Sequence, residues 1–327
     1  MKFLICGIGS AGQRHYCNLK TLGCDDISVY HTGLGQALFT KAFLEANRPR
    51  IFRDLQRALE KKPDAVFVTN PTALHIPVAL EAARAGCHLF IEKPLSHDLD
   101  GVSELEEIVR KNGLAVQIGY HFRFHPVLLE AKRWLGSGSI GKPVSAHVSM
   151  GERVSDWHPW EDYRRSYACR SDLGGGVILT QSHDLDYLCW LFGPVEKDGI
   201  AAFGGRLGNL DIDVEDVAHI ILRFQSGLIA SASLDYFQQP PTRNLEIAGT
   251  KGKIIACLSE PSFGMLYTND ESSPLVYQRR EFSRNDIYIS ELKNFLECLQ
   301  TGRKPDVGLE QGREVLEIAL AARRGIR

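Results

Sequence analysis

The sequence predicts an α/β protein: an N-terminal doubly wound domain, then an α+β domain built on a large, mostly antiparallel sheet. Three observations predict it. Over the first 120 residues, short apolar runs alternate with segments of helical period. Those runs are continuously apolar, as expected of parallel strands covered on both faces. After Pro126 the pattern changes to longer alternating strands joined by short turns, which is the habit of an antiparallel sheet. A chain of 327 residues is long enough for two cores, and the change of pattern puts the domains at 1–121 and 122–327.

The elements follow in order. Strands are predicted at 2–6, 27–30, 65–69, 88–92 and 114–119, with helices at 11–22, 34–46, 54–61, 75–85 and 99–111 between them. Gly23, Gly86 and Gly113 stand where three of these helices should stop. A helix over 127–135 opens the second domain. Strands at 143–151, 200–204, 214–224, 227–236, 243–248 and 253–257 follow, with a hairpin turn at Gln225-Ser226-Gly227. Helices near 289–299 and 309–323 close the chain.

Composition narrows the function. The chain is 44% hydrophobic and 24% charged with a formal net charge of −2, which argues against a surface for nucleic acid or membrane built on excess positive charge. No apolar run approaches the roughly 18 residues of a membrane helix. The opening "MKFLICGIG" reads as a first strand rather than a signal peptide, since its apolar part breaks at glycine. Eight cysteines without a C-x-x-C pair point to reduced, mostly buried thiols in a cytoplasmic protein, and no ligand spacing points to a metal.

The first motif with chemistry is "CGIGSAG", in which Gly7, Gly9 and Gly12 have G-x-G-x-x-G spacing between a strand and a helix. Gly7 would allow the tight turn, Gly9 the approach of a pyrophosphate and Gly12 close helix–strand packing, with Ser10 and Ala11 presenting helix-terminal amides to the phosphates. This is the fingerprint of a dinucleotide-binding Rossmann domain. An NAD site usually carries an acid about 20 residues further on. Here the second strand ends in His31 and Thr32, and no carboxylate occurs until Glu45. Both residues could donate to a 2′-phosphate, which favours NADP, although a loop accepting either cofactor is the other reading.

With that loop placed, "VTNPTALHIPVALEAARAGCHLFIEKPL", "GYHFRFHP", "DLGGGVILTQSHDLDYLCWLFG" and the "AGTKG" turn together resemble the Gfo/Idh/MocA family of NAD(P)-dependent oxidoreductases over essentially the whole chain. The resemblance implies that Lys93, in the E-K-P motif, sits beside the nicotinamide and holds the substrate hydroxyl. An ammonium at the carboxyl end of a parallel strand suits that task, because it can hydrogen-bond an oxygen as charge develops. Pro94 fixes the turn and admits a cis bond. Glu92 would orient the lysine or merely finish the strand. The resemblance likewise makes His183 the residue that shuttles the hydroxyl proton, and imidazole titrates in the right range. Asp186 and Tyr187 would share its helix face, and the plain alternative is a core histidine bonded to Asp186. Where many family dehydrogenases carry an aspartate, four residues before the histidine, this chain has Leu179.

Further contacts are expected by position. Thr69, Asn70, Thr72 and His75 follow the third predicted strand, where the family's loop passes the cofactor, and Tyr120 and Arg123 could reach cofactor or substrate. Trp160, Tyr163 and Arg164, in an aromatic and cationic segment, could grip a sugar or nucleotide sugar. The expected activity is hydride transfer between a nicotinamide and a hydroxyl-bearing sugar carbon, by a homodimer or homotetramer paired through the second domain's sheet. A glycosidase or epimerase using bound NAD transiently, and a cofactor-binding sensor without turnover, are the alternatives.

Overall fold

The computed structural model describes residues 1–33, 38–159, 161–279 and 282–326, and divides into two compact units. The first comprises Met1–Tyr120, Asp172–Gly174 and Tyr288–Leu316. Its elements are β1 (Phe3–Cys6), α1 (Ser10–Thr21), β2 (Ile27–Tyr30), α2 (Leu38–Asn47), β3 (Arg50–Phe52), α3 (Leu55–Leu59), β4 (Ala65–Val68), α4 (His75–Arg84), β5 (His88–Ile91), α5 (Val102–Asn112) and β6 (Val116–Ile118). All strand pairs are parallel, in the order β3-β2-β1-β4-β5-β6. Strands β1 and β4 are buried at every position, which is why their sequences are unbroken apolar runs. Helices α4 and α5 end as expected, with Gly86 and Gly113 at left-handed φ of +82° and +61°.

Two features of this unit go beyond the sequence reading. Strand β3 is a sixth strand, on the sheet edge and too short and exposed to show an apolar run. The core also takes in a distant segment. Phe67 and Phe90 stack at 5.0 Å between ring centroids, and Phe295 stands edge-on to both at 5.8 and 5.6 Å.

The second unit contains α6 (Pro126–Gly136), β7 (Pro143–Gly151), α7 (Val177–Thr180), α8 (His183–Phe192), β8 (Val195–Gly205), β9 (Val217–Phe224), β10 (Ile229–Asp235), β11 (Thr242–Gly249), β12 (Gly252–Cys257), β13 (Phe263–Thr268) and β14 (Leu275–Tyr277). Helices α9 (Arg284–Thr301) and α10 (Leu309–Gly325) complete the chain. The eight strands run β14-β13-β12-β11-β7-β10-β9-β8. Every pair is antiparallel except β10 with β7, where Ser231 faces His147 in a parallel ladder. The hairpin between β9 and β10 forms as the sequence predicts, with Gly227 at φ +84°. Strand β9 alternates strictly: Ala218, Ile220, Leu222 and Phe224 are buried, whereas His219, Ile221 and Arg223 are exposed. Strands β13 and β14 were not anticipated.

The eight cysteines are unpaired. Five are buried, as expected of most of them, and burial pushes the Cys87 and Cys169 thiols up to about 11 and 12; Cys17 alone is exposed.

Candidate active site

In the first unit the sheet order reverses direction at β1, and the loops that leave the carboxyl ends of β1, β4 and β5 hold most of the predicted cofactor residues. The three glycines of the fingerprint have three different physical reasons. Gly7 has φ +99°, and a Cβ there would stand 2.7 Å from the Asn70 nitrogen. A Cβ on Gly12 would stand 2.1 Å from the Gly7 oxygen and 2.9 Å from Thr69 Oγ1. Gly9 differs from both: its φ and ψ of −69° and −166° suit any residue, and a Cβ would meet nothing within 4 Å among the described residues. Neither backbone nor packing requires a glycine there, so the space it leaves is open to something from outside the chain.

The surrounding groups fit a dinucleotide. Helix α1 begins at this loop with no side chain capping it, so its first amides are available to phosphate. Thr69 Oγ1 lies 3.1 Å from the Cys6 carbonyl and 2.7 Å from that of Gly7, bracing the loop rather than reaching out. Asn70 donates through Nδ2 to the Leu74 carbonyl at 3.1 Å, while its buried Oδ1 has no partner among the described residues. A buried acceptor without a donor is costly, and a bound ligand would supply one.

Lys93 stands two residues beyond the end of β5, after Glu92, and the Lys93–Pro94 bond is cis. Two histidines hold this turn. His15, fully buried on α1 among Phe67 and Phe90, donates Nε2–H to Glu92 Oε1 at 2.8 Å. Its Nδ1 has no partner among the described residues, so a proton there would be stranded; burial keeps the ring neutral against the pull of Glu92. Burial alone would raise the Glu92 carboxyl, but the His15 bond and the Arg14 and Lys93 charges hold it well below the usual carboxylate range. Glu92 is therefore a fixed anion at the root of Lys93, with Oε2 3.3 Å from the lysine amide. Its side chain is turned toward His15.

His75 is also a brace. Its two ring nitrogens lie 2.8 Å from the Pro94 carbonyl and 2.9 Å from that of Asn70. Burial keeps this ring neutral despite the two carbonyls, so one contact at a time is a donated hydrogen bond. It ties the loop after β4 to the Lys93 turn and leaves no ring nitrogen for a cofactor. Thr72 and Tyr120 are buried in the same unit, at 1% and 0% exposure. At the far end of the crevice, His31 and Thr32 follow β2, with His31 half-buried and Thr32 exposed.

In the second unit His183 opens α8, buried to 4% exposure. The His121 and Phe122 rings pack against it at centroid distances of 4.3 and 5.1 Å. Asp186, one turn on, is fully buried and taken by Arg123 in a fork of three contacts between 2.7 and 3.1 Å. Arg123, expected at cofactor or substrate, and Asp186, expected beside His183 on its helix face, thus form a buried ion pair in which each neutralises the other. Leu179, on α7, is fully buried. Arg164 forks onto Asp162, two residues away, and Tyr163 accepts a hydrogen bond from the Asp211 amide at 3.2 Å, so both are engaged locally. Trp160 lies outside the described residues.

Three residues escaped the sequence reading: His15, His121 and Arg53. The last leaves β3 beside His31; no local pattern marks His15 or Arg53, and His121 stands inside "GYHFRFHP" without a role assigned to it, because the partners of all three lie on other elements.

A six-stranded doubly wound sheet, a glycine fingerprint opening its first helix and a lysine at the carboxyl end of β5 define a nicotinamide-dependent oxidoreductase. The chain belongs to the Gfo/Idh/MocA family. Residues 1–120 match "Oxidoreductase family, NAD-binding Rossmann fold", and residues 128–255 match the family's C-terminal domain. Similar proteins include myo-inositol 2-dehydrogenase of Thermotoga maritima, 28% identical over 100% of this chain and 96% of that one. The NAD-dependent scyllo-inositol 2-dehydrogenase of Bacillus subtilis is 29% identical over 99% and 93%. Among solved structures, levoglucosan dehydrogenase in complex with NADH and levoglucosan has the same fold, with a TM-score of 0.86 at 16% identity over 99% of this chain and 96% of that one.

Proposed function

We propose that the protein oxidises or reduces one hydroxyl-bearing carbon of a sugar, polyol or nucleotide sugar, with a preference for NADP(H). The observation that carries this reading is that the phosphate-loop glycine and Lys93 leave the same carboxyl edge of one parallel sheet, after β1 and β5. The names of the relatives support the substrate class. When bound, the nicotinamide supplies or accepts the hydride. The chain's own residues do the rest. The α1 amides and the space at Gly9 hold the pyrophosphate. Lys93, fixed at its root by Glu92 and by the His75 brace, donates a hydrogen bond to the substrate oxygen and stabilises negative charge there. His183 takes or returns the hydroxyl proton, with its ring held by His121 and Phe122. Residues 1–121 serve the cofactor; residues 122–327 serve the substrate and self-association in the cytoplasm, through the sheet face that exposes Phe203, Ile221 and Ile229.

The test is turnover by nicotinamide absorbance over a panel of inositols, anhydrosugars and nucleotide sugars. One substrate should turn over in the wild type, and Lys93→Ala should lose roughly 100- to 1,000-fold in kcat with reduced-cofactor affinity unchanged. A Lys93→Ala enzyme within a few-fold of wild type would remove the lysine from the mechanism. The buried Leu179, at the position where the resemblance implies an aspartate, favours a second reading as a cofactor-bound sensor; tight cofactor binding with no turnover across the panel would establish it.

A further inference from the structure

We infer that Arg53 binds the 2′-phosphate of NADP(H) and is the residue that selects it. The inference rests on the NADP preference proposed above and names the group responsible. Strands β2 and β3 pair in parallel with Tyr30 opposite Phe52, and the His31 amide donates to the Phe52 carbonyl at 3.0 Å. Arg53 therefore leaves the sheet alongside His31 and Thr32. The Gly7 amide in turn donates to the Tyr30 carbonyl at 3.1 Å, so this pair of strand ends adjoins the phosphate loop. In a dinucleotide site of this topology the end of the second strand meets the adenosine ribose, and an acid there accepts from the 2′-hydroxyl.

Here the charge is of the opposite sign. The Arg53 guanidinium donates through Nη1 to the His31 carbonyl at 2.7 Å and crosses Gly33, where a Cβ would stand 3.1 Å from that nitrogen. Gly33, at φ +88°, leaves the guanidinium room to lie across the strand end. Arg53 is exposed and forms no ion pair with a carboxylate among the described residues. One donor fixes its orientation and the others make no hydrogen bond among the described residues, leaving a planar fork of the kind that suits a phosphate. His31 itself is half-buried, and burial together with the Arg53 charge disfavours its protonation. The cation at this position is thus the arginine, with His31 and Thr32 as neutral neighbours.

The experiment measures dissociation constants of NADPH and NADH by fluorescence titration. Adenosine 2′,5′-bisphosphate and 5′-AMP serve as calorimetric probes for wild type, Arg53→Ala and Arg53→Gln. The glutamine can still donate to the His31 carbonyl and so separates loss of charge from loss of the loop brace. Both variants should lose roughly 10- to 100-fold in affinity for NADPH and the bisphosphate, the worth of charge-assisted bonds, and bind NADH and 5′-AMP within about threefold of wild type. Wild-type affinity for the bisphosphate should also fall more steeply with salt than that of the variants. A wild type that prefers NADPH while both variants keep that preference would overturn the role of Arg53 and leave the NADP reading standing. A wild type that binds NADH as tightly as NADPH would overturn the reading itself, and equal losses for both cofactors in Arg53→Gln would reduce Arg53 to a structural brace.

Discussion

Replacing Gly9 and Gly12 separately should divide ligand binding from stability. At Gly12 the added methyl would stand 2.1 Å from a main-chain oxygen, inside any contact a folded protein tolerates, so α1 or the loop must shift. Overpacking of this kind costs about 1–3 kcal/mol, and the severity of this contact puts it at the upper end. The gain of about 1 kcal/mol that alanine has over glycine in a helix offsets part. Gly12→Ala should thus lose about 2 kcal/mol, or roughly 4–8 °C in Tm for a unit of this size. In Gly9→Val the new Cβ meets no atom of the described residues within 4 Å, and φ stays ordinary. Its cost is that of a poor N-cap, about 1 kcal/mol or less. Yet, on the proposed function, the valine would occupy the space that takes the pyrophosphate, and affinity for both reduced cofactors should fall sharply. Thermal melts without cofactor and fluorescence titrations of NADH and NADPH read the two effects apart. Gly9→Val binding cofactor like wild type, or melting as low as Gly12→Ala, would refute the reasoning.

Three further outcomes follow from the packing. Asp186→Asn should destabilise by about 3–5 kcal/mol, because it leaves the Arg123 cation buried beside a neutral amide; the double variant Arg123→Met/Asp186→Leu should recover most of this in urea unfolding, and a single variant as stable as the double would contradict a buried charge pair. Burial depresses protonation of His15, so the unfolded chain takes up a proton near pH 6.5 that the native ring refuses, and stability falls as pH drops below that value. His15→Gln, which can still donate to Glu92, should flatten the fall by at most about 1.4 kcal/mol per pH unit, and urea midpoints at pH 7 and 5.5 that move in parallel for the two proteins would exclude it. Finally, if the sheet face with Phe203 at 70% and Ile221 at 47% exposure pairs with a second copy, Phe203→Asp/Ile221→Asp should convert a dimer or tetramer to monomer in light scattering; a wild-type monomer at micromolar concentration would end that proposal.

What the sequence determined alone is what depends on near neighbours. The continuous apolar runs of β1, β4 and β5, the strict alternation of β9, the glycine stops of α4 and α5 and the glycine fingerprint each reflect a local rule, and each stands where that rule puts it. The position of Lys93 at a strand end was legible for the same reason. The tertiary structure decided whatever depends on residues far apart in the chain. His15 meets Glu92 across 77 positions, and Arg123 meets Asp186 across 63. Phe295 reaches the rings of Phe67 and Phe90 from near the other end of the chain. Strand β3 was invisible because an edge strand of three mostly exposed residues needs no apolar pattern, and Arg53, which follows it, was invisible with it. A side chain's neighbours along the sequence fix its backbone; its charge state and its partner are fixed by elements that only folding brings within a few ångströms, where burial and a single donor or acceptor outweigh any local preference.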